Sequence, residues 1–147
     1  MFTTAYPDPT AQAQFYDNVL VKRAMAWIFD TVLIAFLMML IIPLTGFLAL
    51  FFLGGLYVVI SFIYRWMGMS RHSATLGMRM AGVEFRDSEG YPLNAAAGFA
   101  HTLFYALSVA FVLPQILSVL MMIFSRRGQG LSDVLLGVVL VNRRALY

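Results

Sequence analysis

Residues 24–44 read AMAWIFDTVLIAFLMMLIIPL, and Asp30 is the only charged side chain among them. A helix of this length measures about 31 Å at 1.5 Å per residue, which matches the hydrocarbon thickness of a bilayer. Lys22 and Arg23 precede the apolar run, and Gly46 follows its end. The sequence therefore predicts a first membrane-spanning helix over residues 24–44.

The composition of the whole chain agrees with a lipid environment. Of its 147 residues, 61% are hydrophobic and 12% are charged, and the mean hydropathy is +0.82. A soluble domain is nearer to half apolar and a quarter charged, so a water-soluble fold of this length could not bury so many apolar side chains. The chain has no cysteine, and its two histidines lack metal-ligand spacing, so we expect neither a disulfide nor a metal or other cofactor.

A second apolar run, residues 47–66, ends on Tyr64-Arg65-Trp66, which is typical of an anchor at the membrane interface. The connection between the two runs carries no charge, so we expect an antiparallel hairpin with a very short turn. Residues 1–18 are instead a polar N-terminal tail, and we expect its Phe15 and Tyr16 to lie at the level of the lipid headgroups.

A third apolar run begins at residue 95 and admits two topologies. A single helix through residue 124 would be about 45 Å long, which is more than the bilayer core needs. Two shorter helices, 95–112 and 115–125, would reverse around Leu113-Pro114 and return the chain to the side on which it started. The predicted fold is therefore an all-α bundle of four transmembrane helices, with three as the alternative.

The distribution of basic residues favours the four-helix arrangement. Arginines are concentrated in segment 67–94 and again at the end of the chain, where residues 143–147 form a basic C-terminal tail. An even number of crossings puts these arginines on the same side as Lys22 and Arg23, and basic residues favour the cytoplasmic side. The +3 net charge is thus explained by the membrane, without a nucleic-acid partner. We expect a bacterial inner-membrane protein with both termini in the cytoplasm.

The polar segment 67–94 is predicted to contain short regular elements. Ser73 can cap a short helix that ends at Gly82. Residues 83–86 alternate apolar and polar side chains, and residues 138–142 are rich in β-branched ones, so both predict strands. The two strands are candidates to pair on the cytoplasmic side, and they must pack on the helices because an isolated strand pair is marginally stable.

Three segments resemble the RDD family of small membrane proteins, which is named for an arginine and two aspartates. They are residues 23–30, with Arg and Asp seven apart, residues 75–83, similar to a Thr-x-Gly-Lys segment and its strand, and residues 131–139, similar to a closing Leu-His-Asp segment. Met78 stands where the family usually has Lys. His101 stands near where the family often has Arg, and Ser132 replaces the usual His. The resemblance covers residues 19–142 and implies a membrane domain, often suggested to act in transport, with no settled substrate.

Four residues are candidates for binding or for interaction with ions, namely Arg23, Asp30, His101 and Asp133. A carboxylate at Asp30 costs several kcal/mol in the membrane unless it finds a partner or is protonated. Asp30 is therefore predicted either to bind a proton or a small cation, or to lock the bundle through an interhelical ion pair or hydrogen bond.

The other three candidates each have a structural alternative. Arg23 is either a headgroup anchor or the partner of Asp133 or Asp30. Asp133 either joins that charge cluster or stabilises the N-terminus of a short helix. His101 is either a buried neutral imidazole or a proton shuttle.

Two classes of function remain open. The chain lacks a catalytic triad, paired acid and base carboxylates and a phosphate-binding glycine loop, so we expect no enzyme. One hypothesis is a transport-related protein in which Asp30 interacts with protons or cations. The other is a non-catalytic accessory, assembly or scaffold subunit of a larger membrane complex. The scarcity of polar positions in the spans favours the second, and the family resemblance favours the first. The first predicts a homo-oligomer or a larger assembly in the bilayer, whereas the second predicts a foreign partner protein in a larger membrane complex.

Overall fold

The computed structural model describes residues 6–146, and six α-helices and two β-strands lie in this part of the chain. The helices are α1 (Val19–Leu44), α2 (Leu53–His72), α3 (Leu76–Ala81), α4 (Ala95–Ala110), α5 (Val112–Phe124) and α6 (Leu131–Leu136), and the strands are β1 (Val83–Asp87) and β2 (Val138–Asn142). Short 3-10 turns lie at Ala13–Phe15, Leu48–Phe52 and Arg143–Ala145.

The predicted hairpin is formed by α1 and α2, but its turn is longer than predicted. Gly46 and Phe47 adopt left-handed backbone angles, with φ of 62° and 65°, and a 3-10 turn follows before α2 begins. The second helix therefore runs from Leu53 to His72 instead of over residues 47–66. The first helix begins at Val19, five residues earlier than predicted, so Arg23 lies inside it.

The third apolar run is bent, as the four-helix prediction required, but at a different residue. Helices α4 and α5 meet at 115°. Phe111 between them has an extended backbone, with φ of −114° and ψ of 118°. Pro114 falls in the first turn of α5, where its missing N–H is not needed, so the proline does not break the helix. The reversal therefore lies at Phe111 and not at Leu113-Pro114.

The described residues contain fewer than four candidate spans by length and composition, so the prediction of four crossings is not confirmed. Within the described residues, α1 and α2 are each long and apolar enough to cross a bilayer, and the bent pair α4–α5 counts at most as a third span. The two arms of the bent pair measure about 24 and 20 Å at 1.5 Å per residue. The structure thus shows two to three candidate spans, and the fourth crossing stays a prediction.

The predicted strand pair is confirmed. Strands β1 and β2 are antiparallel, with Val83 opposite Asn142 and Asp87 opposite Val138. Phe85 of β1 is fully buried and belongs to a hydrophobic core that also contains Val19 of α1 and residues from α2, α3 and β2. The strand pair therefore packs on the helices, as its marginal stability in isolation requires.

One prediction about the polar segment 67–94 is wrong in detail. Ser73 does not cap α3, because it ends α2 with a φ of 53°, and its hydroxyl accepts a hydrogen bond from the Leu93 N–H at 2.7 Å. Thr75 is the cap instead. Gly82 ends α3 as predicted, with a φ of 73°.

The N-terminal segment is folded from residue 6 onward and is not a loose tail. Phe15 is buried against Val139 and Val141 of β2, so it does not lie among the lipid headgroups. The Asn142 side-chain amide donates to the carbonyls of Gln14 and Asp17, both at 2.9 Å. These contacts fasten the segment to the strand pair. The part of the predicted tail in residues 1–5, and residue 147 of the basic C-terminal tail, lie outside the described residues.

Candidate functional site

Asp30 lies on the buried side of α1 and is fully enclosed, with 0% of its surface exposed. The Tyr64 hydroxyl donates to Oδ1 at 2.5 Å, the Thr75 hydroxyl to Oδ2 at 2.6 Å, and the Gly77 N–H to Oδ1 at 2.9 Å. A guanidinium nitrogen of Arg65 lies 3.8 Å from Oδ2. The carboxylate therefore joins α1 to α2 and to the start of α3.

The sequence around Thr75 explains why α3 can reach this carboxylate. The Thr75 hydroxyl accepts from the Met78 N–H at 3.2 Å, which caps α3, while its own proton goes to Asp30. A Cβ atom at Gly77 would lie 2.4 Å from the Ala26 carbonyl oxygen and 2.6 Å from Asp30 Oδ1. Glycine is thus required for α3 to approach α1 closely enough to donate its N–H.

Asp30 is surrounded by neutral hydrogen-bond donors and by the charge of one arginine. Its described neighbours are three donors and one cation. A hard cation instead needs several oxygen ligands with free lone pairs. The arrangement thus corresponds to the interhelical ion pair and hydrogen bonds that the sequence offered as one alternative. The role of Asp30 as a proton or cation ligand stays a prediction, and this geometry does not favour it.

A second buried carboxylate, Asp133, contacts the two remaining candidate residues. Arg23 donates to Oδ2 at 2.6 Å, and Nε2 of His101 lies 2.7 Å from Oδ1. The Gly130 N–H at the start of α6 donates to Oδ2 at 2.9 Å. Asp133 therefore both joins a charge cluster and caps a helix. Arg23 pairs with Asp133 and not with Asp30, and its side chain is only 14% exposed, so it is not a headgroup anchor.

The charged neighbours decide the protonation of Asp133. Burial alone would raise the pKa of this carboxyl, but the Arg23 guanidinium and His101 outweigh it and hold the pKa below its usual range. The carboxylate is therefore a fixed negative charge between α1, α4 and α6.

This pKa shift predicts a loss of stability in acid. Because the pKa is lower in the folded protein, the contribution of Asp133 is fully present above the usual aspartate value of about 4 and is lost as the pH falls below it. We expect the thermal midpoint in mild detergent to fall from about pH 4 downward. We expect a smaller acid-induced fall in Asp133→Asn, which starts from a lower midpoint.

Asp8 provides the control for this measurement. A hydrogen bond from the Thr10 side chain and others from the Ala11 and Thr10 N–H groups lower its pKa to about 2, so it titrates in the same range. Because Asp8 is exposed, Asp8→Ala should retain most of the acid-induced fall. An equal fall in wild type and Asp133→Asn would contradict the assignment to Asp133.

A cavity of about 370 Å³ lies between the two carboxylate clusters. Helix α1 packs chiefly on α3 and α2, whereas α4 packs on α2, and the space left between α1 and the bent pair is the cavity. All six helices contribute to its wall. Its polar lining includes Arg23, Asp30, Arg65, His101, Tyr105 and Gln115. The cavity therefore connects both clusters.

Arg65 is the site residue that sequence reasoning misplaced. It was predicted to anchor α2 at the interface, but it is 6% exposed, and its guanidinium carbon lies 4.3 Å from the centre of the Tyr105 ring. The predicted start of the second helix at residue 47 hid the signal. With the observed bounds, Asp30 lies 14 residues before the end of α1 and Arg65 lies 12 residues after the start of α2. A hairpin places two such positions at similar depth.

The comparison with protein families agrees with this architecture. The model of the RDD family matches residues 19–137, which is most of the chain and includes Arg23, Asp30 and Asp133. No curated protein matches the chain significantly. No solved structure does so either. Because this match covers most of the chain, the protein belongs to the RDD family, and its long apolar helices are the candidate membrane spans.

Proposed function

We propose that the protein is a non-enzymatic, transport-related membrane protein whose central cavity receives a small solute or ion. The observation that carries the proposal is the cavity itself, since it lies between two buried charge clusters and all six helices form its wall. Pockets of about 300–1,000 Å³ with a few convergent polar groups are the usual form of small-molecule sites. A purely structural bundle would have no need of such a space.

The proposed topology places the strand pair in the cytoplasm of a bacterial cell, with both termini on that side. The exposed arginines Arg71, Arg79, Arg126 and Arg144 lie on segments at the strand-pair end or next to it. The bent pair follows β1 and precedes α6, and α6 leads into β2, which pairs with β1, so both ends of the bent pair lie near the strand pair. Basic residues favour the cytoplasmic face.

A cavity-blocking substitution tests the proposal. Ala24 lies in the cavity wall, so Ala24→Trp should fill the cavity and remove most of the flux that purified protein supports in vesicles. The probe is proton movement, read by an internal pH-sensitive dye, under an imposed sodium or potassium gradient. Ala35→Trp is the matched control, because Ala35 is an exposed alanine of the same helix outside the cavity wall. Wild-type flux no greater than that of empty vesicles, or equal flux in both variants, would refute the proposal.

A second candidate function is an accessory or assembly subunit, and one observation favours it. No residue from 35 to 60 is buried, because the short bent pair does not cover this half of the α1–α2 hairpin. A Cβ at Gly54 or Gly55 would meet no atom of the described chain within 4 Å. This apolar half is available to helices of another protein or of a second copy.

Native mass measurement in mild detergent tests this candidate. A stoichiometric foreign protein would support the accessory role. A homo-oligomer would instead support self-association through the same half of the hairpin, and a monomer that keeps its flux would count against both forms of assembly.

A further inference from the structure

We propose that the cavity binds a single-chain amphiphile with an anionic head, either a carboxylate or a phosphate, and that Arg65 receives the head. The inference rests on the proposed function, since it names the ligand class of the same cavity. The observation behind it is that Arg65 lines the cavity and that two of its guanidinium nitrogens are buried without a hydrogen-bond partner in the described chain.

Arg65 is buried, yet its Nε and one terminal nitrogen find no hydrogen-bond partner among residues 6–146. A buried donor without a partner costs about 1–3 kcal/mol, and more when it is charged, so such donors are rare unless a ligand or water completes them. The planar fork of a guanidinium matches the two oxygens of a carboxylate or phosphate. An anion with paired oxygens would therefore supply both missing acceptors.

Asp30 does not supply that partner. Its two oxygens already accept from Tyr64, Thr75 and Gly77, and the nearest Arg65 nitrogen remains 3.8 Å away, which is longer than a hydrogen bond. The ion pair with Asp30 offsets part of the positive charge of Arg65 but leaves its buried N–H donors without an acceptor. The Tyr105 ring lies 4.3 Å from the guanidinium carbon, and the N–H bonds point outward in the guanidinium plane, so an added acceptor must approach in that plane.

The rest of the cavity suits an apolar chain. Much of its wall is apolar and includes Leu20, Met69, Met78, Val119 and Met122. Methionine side chains adapt their shape, which suits a flexible hydrocarbon.

The cavity is also accessible from the lipid side. Leu20 and Trp27 of α1 and Val119 of α5 line it while being 41%, 49% and 42% exposed. A lipid-soluble chain can therefore enter between α1 and α5 with its head toward Arg65.

Trp27 offers a direct reporter, because it lines the cavity and the chain has only two tryptophans. In Trp66→Phe protein, all tryptophan emission comes from Trp27. Titration with ω-bromoundecanoate in detergent should quench this emission saturably, since a bromine atom quenches only at short range. Unlabelled undecanoate or undecyl phosphate should restore the emission. Undecylamine and inorganic phosphate should not.

The competition series also separates two sources of the ligand. Stronger competition by undecanoate indicates a fatty acid, and stronger competition by undecyl phosphate indicates a phosphate-headed lipid. Quenching that never saturates would overturn the inference, and so would an amine that competes as well as the acid. Neither result requires a substitution at Arg65.

Arg65→Lys then tests the assigned residue. Lysine keeps a positive charge beside Asp30 but loses the planar fork, so the affinity for ω-bromoundecanoate should fall by about tenfold, the effect of one lost charged hydrogen bond. Arg71→Lys, at an exposed arginine near the end of α2, should bind as wild type does. Equal affinity in a folded Arg65→Lys protein would overturn the assignment.

The outcomes distinguish this inference from the proposed function. If the amphiphile does not bind but Ala24→Trp still removes the proton flux, only the ligand class is wrong. If the amphiphile binds and Ala24→Trp leaves the flux intact, the transport role fails and the binding site remains.

Discussion

Asp30→Ala is expected to lower the free energy of unfolding by about 3–5 kcal/mol, the usual cost of removing one partner from a buried ion pair. The loss leaves the Arg65 guanidinium without its counter-charge. It also leaves the hydroxyls of Tyr64 and Thr75 and the Gly77 N–H without their acceptor. The measurement is the thermal midpoint and the unfolding free energy in mild detergent.

Two further variants make this measurement specific. Asp30→Asn keeps one oxygen for Tyr64 and Gly77 but turns an NH2 group toward Thr75 and Arg65, so an intermediate loss is expected. Val32→Ala, at a lipid-facing position of the same helix that is 64% exposed, should change stability little. A loss at Asp30→Ala no greater than at Val32→Ala would show that the carboxylate does not hold the bundle.

Asp133→Ala is the second substitution with a large expected effect, again a loss of about 3–5 kcal/mol in unfolding free energy. It leaves Arg23 and His101 facing each other across an empty site and removes the acceptor of the Gly130 N–H. The neighbouring Val134→Ala, at a residue that is 50% exposed, is the matched control and should be nearly neutral.

A double-mutant cycle separates the ion pair from the rest of this effect. Arg23→Ala alone leaves a buried carboxylate, whereas Arg23→Ala with Asp133→Ala removes both charges. The double variant should therefore be more stable than the sum of the single losses predicts, by about 0.5–3 kcal/mol. Strict additivity would mean that Arg23 and Asp133 do not interact in the folded protein.

Much of the fold could be predicted because its signals are local. The two long apolar runs, the alternation at residues 83–86 and the β-branched run at 138–142 each depend on adjacent residues. The position of the bend was harder to predict from the sequence. A proline breaks a helix only when it lies beyond the first turn, and the sequence does not show where α5 begins. Inside a first turn the proline is tolerated, so the break moved to Phe111.

The candidate site was only partly visible in the sequence. Asp30 and Asp133 stand out because carboxylates in or beside apolar runs are costly. Their partners come from other elements, and nothing local shows which arginine each aspartate meets. Arg65 has flanking aromatic residues that are typical of an interfacial anchor, and its burial follows only from the longer turn that displaces α2.

The positions of the donors around Asp30 also determine when, during synthesis, its hydrogen bonds can form. Tyr64, Thr75 and Gly77 follow Asp30 by 34, 45 and 47 residues. When α1 leaves the ribosome it carries a bare carboxylate, which insertion scales place at about 2.5–3.5 kcal/mol for a central position. The other residues of α1 are apolar enough to offset this cost, but the carboxylate stays without its donors until the later segments have been made, so its pairing couples tertiary assembly to continued translation.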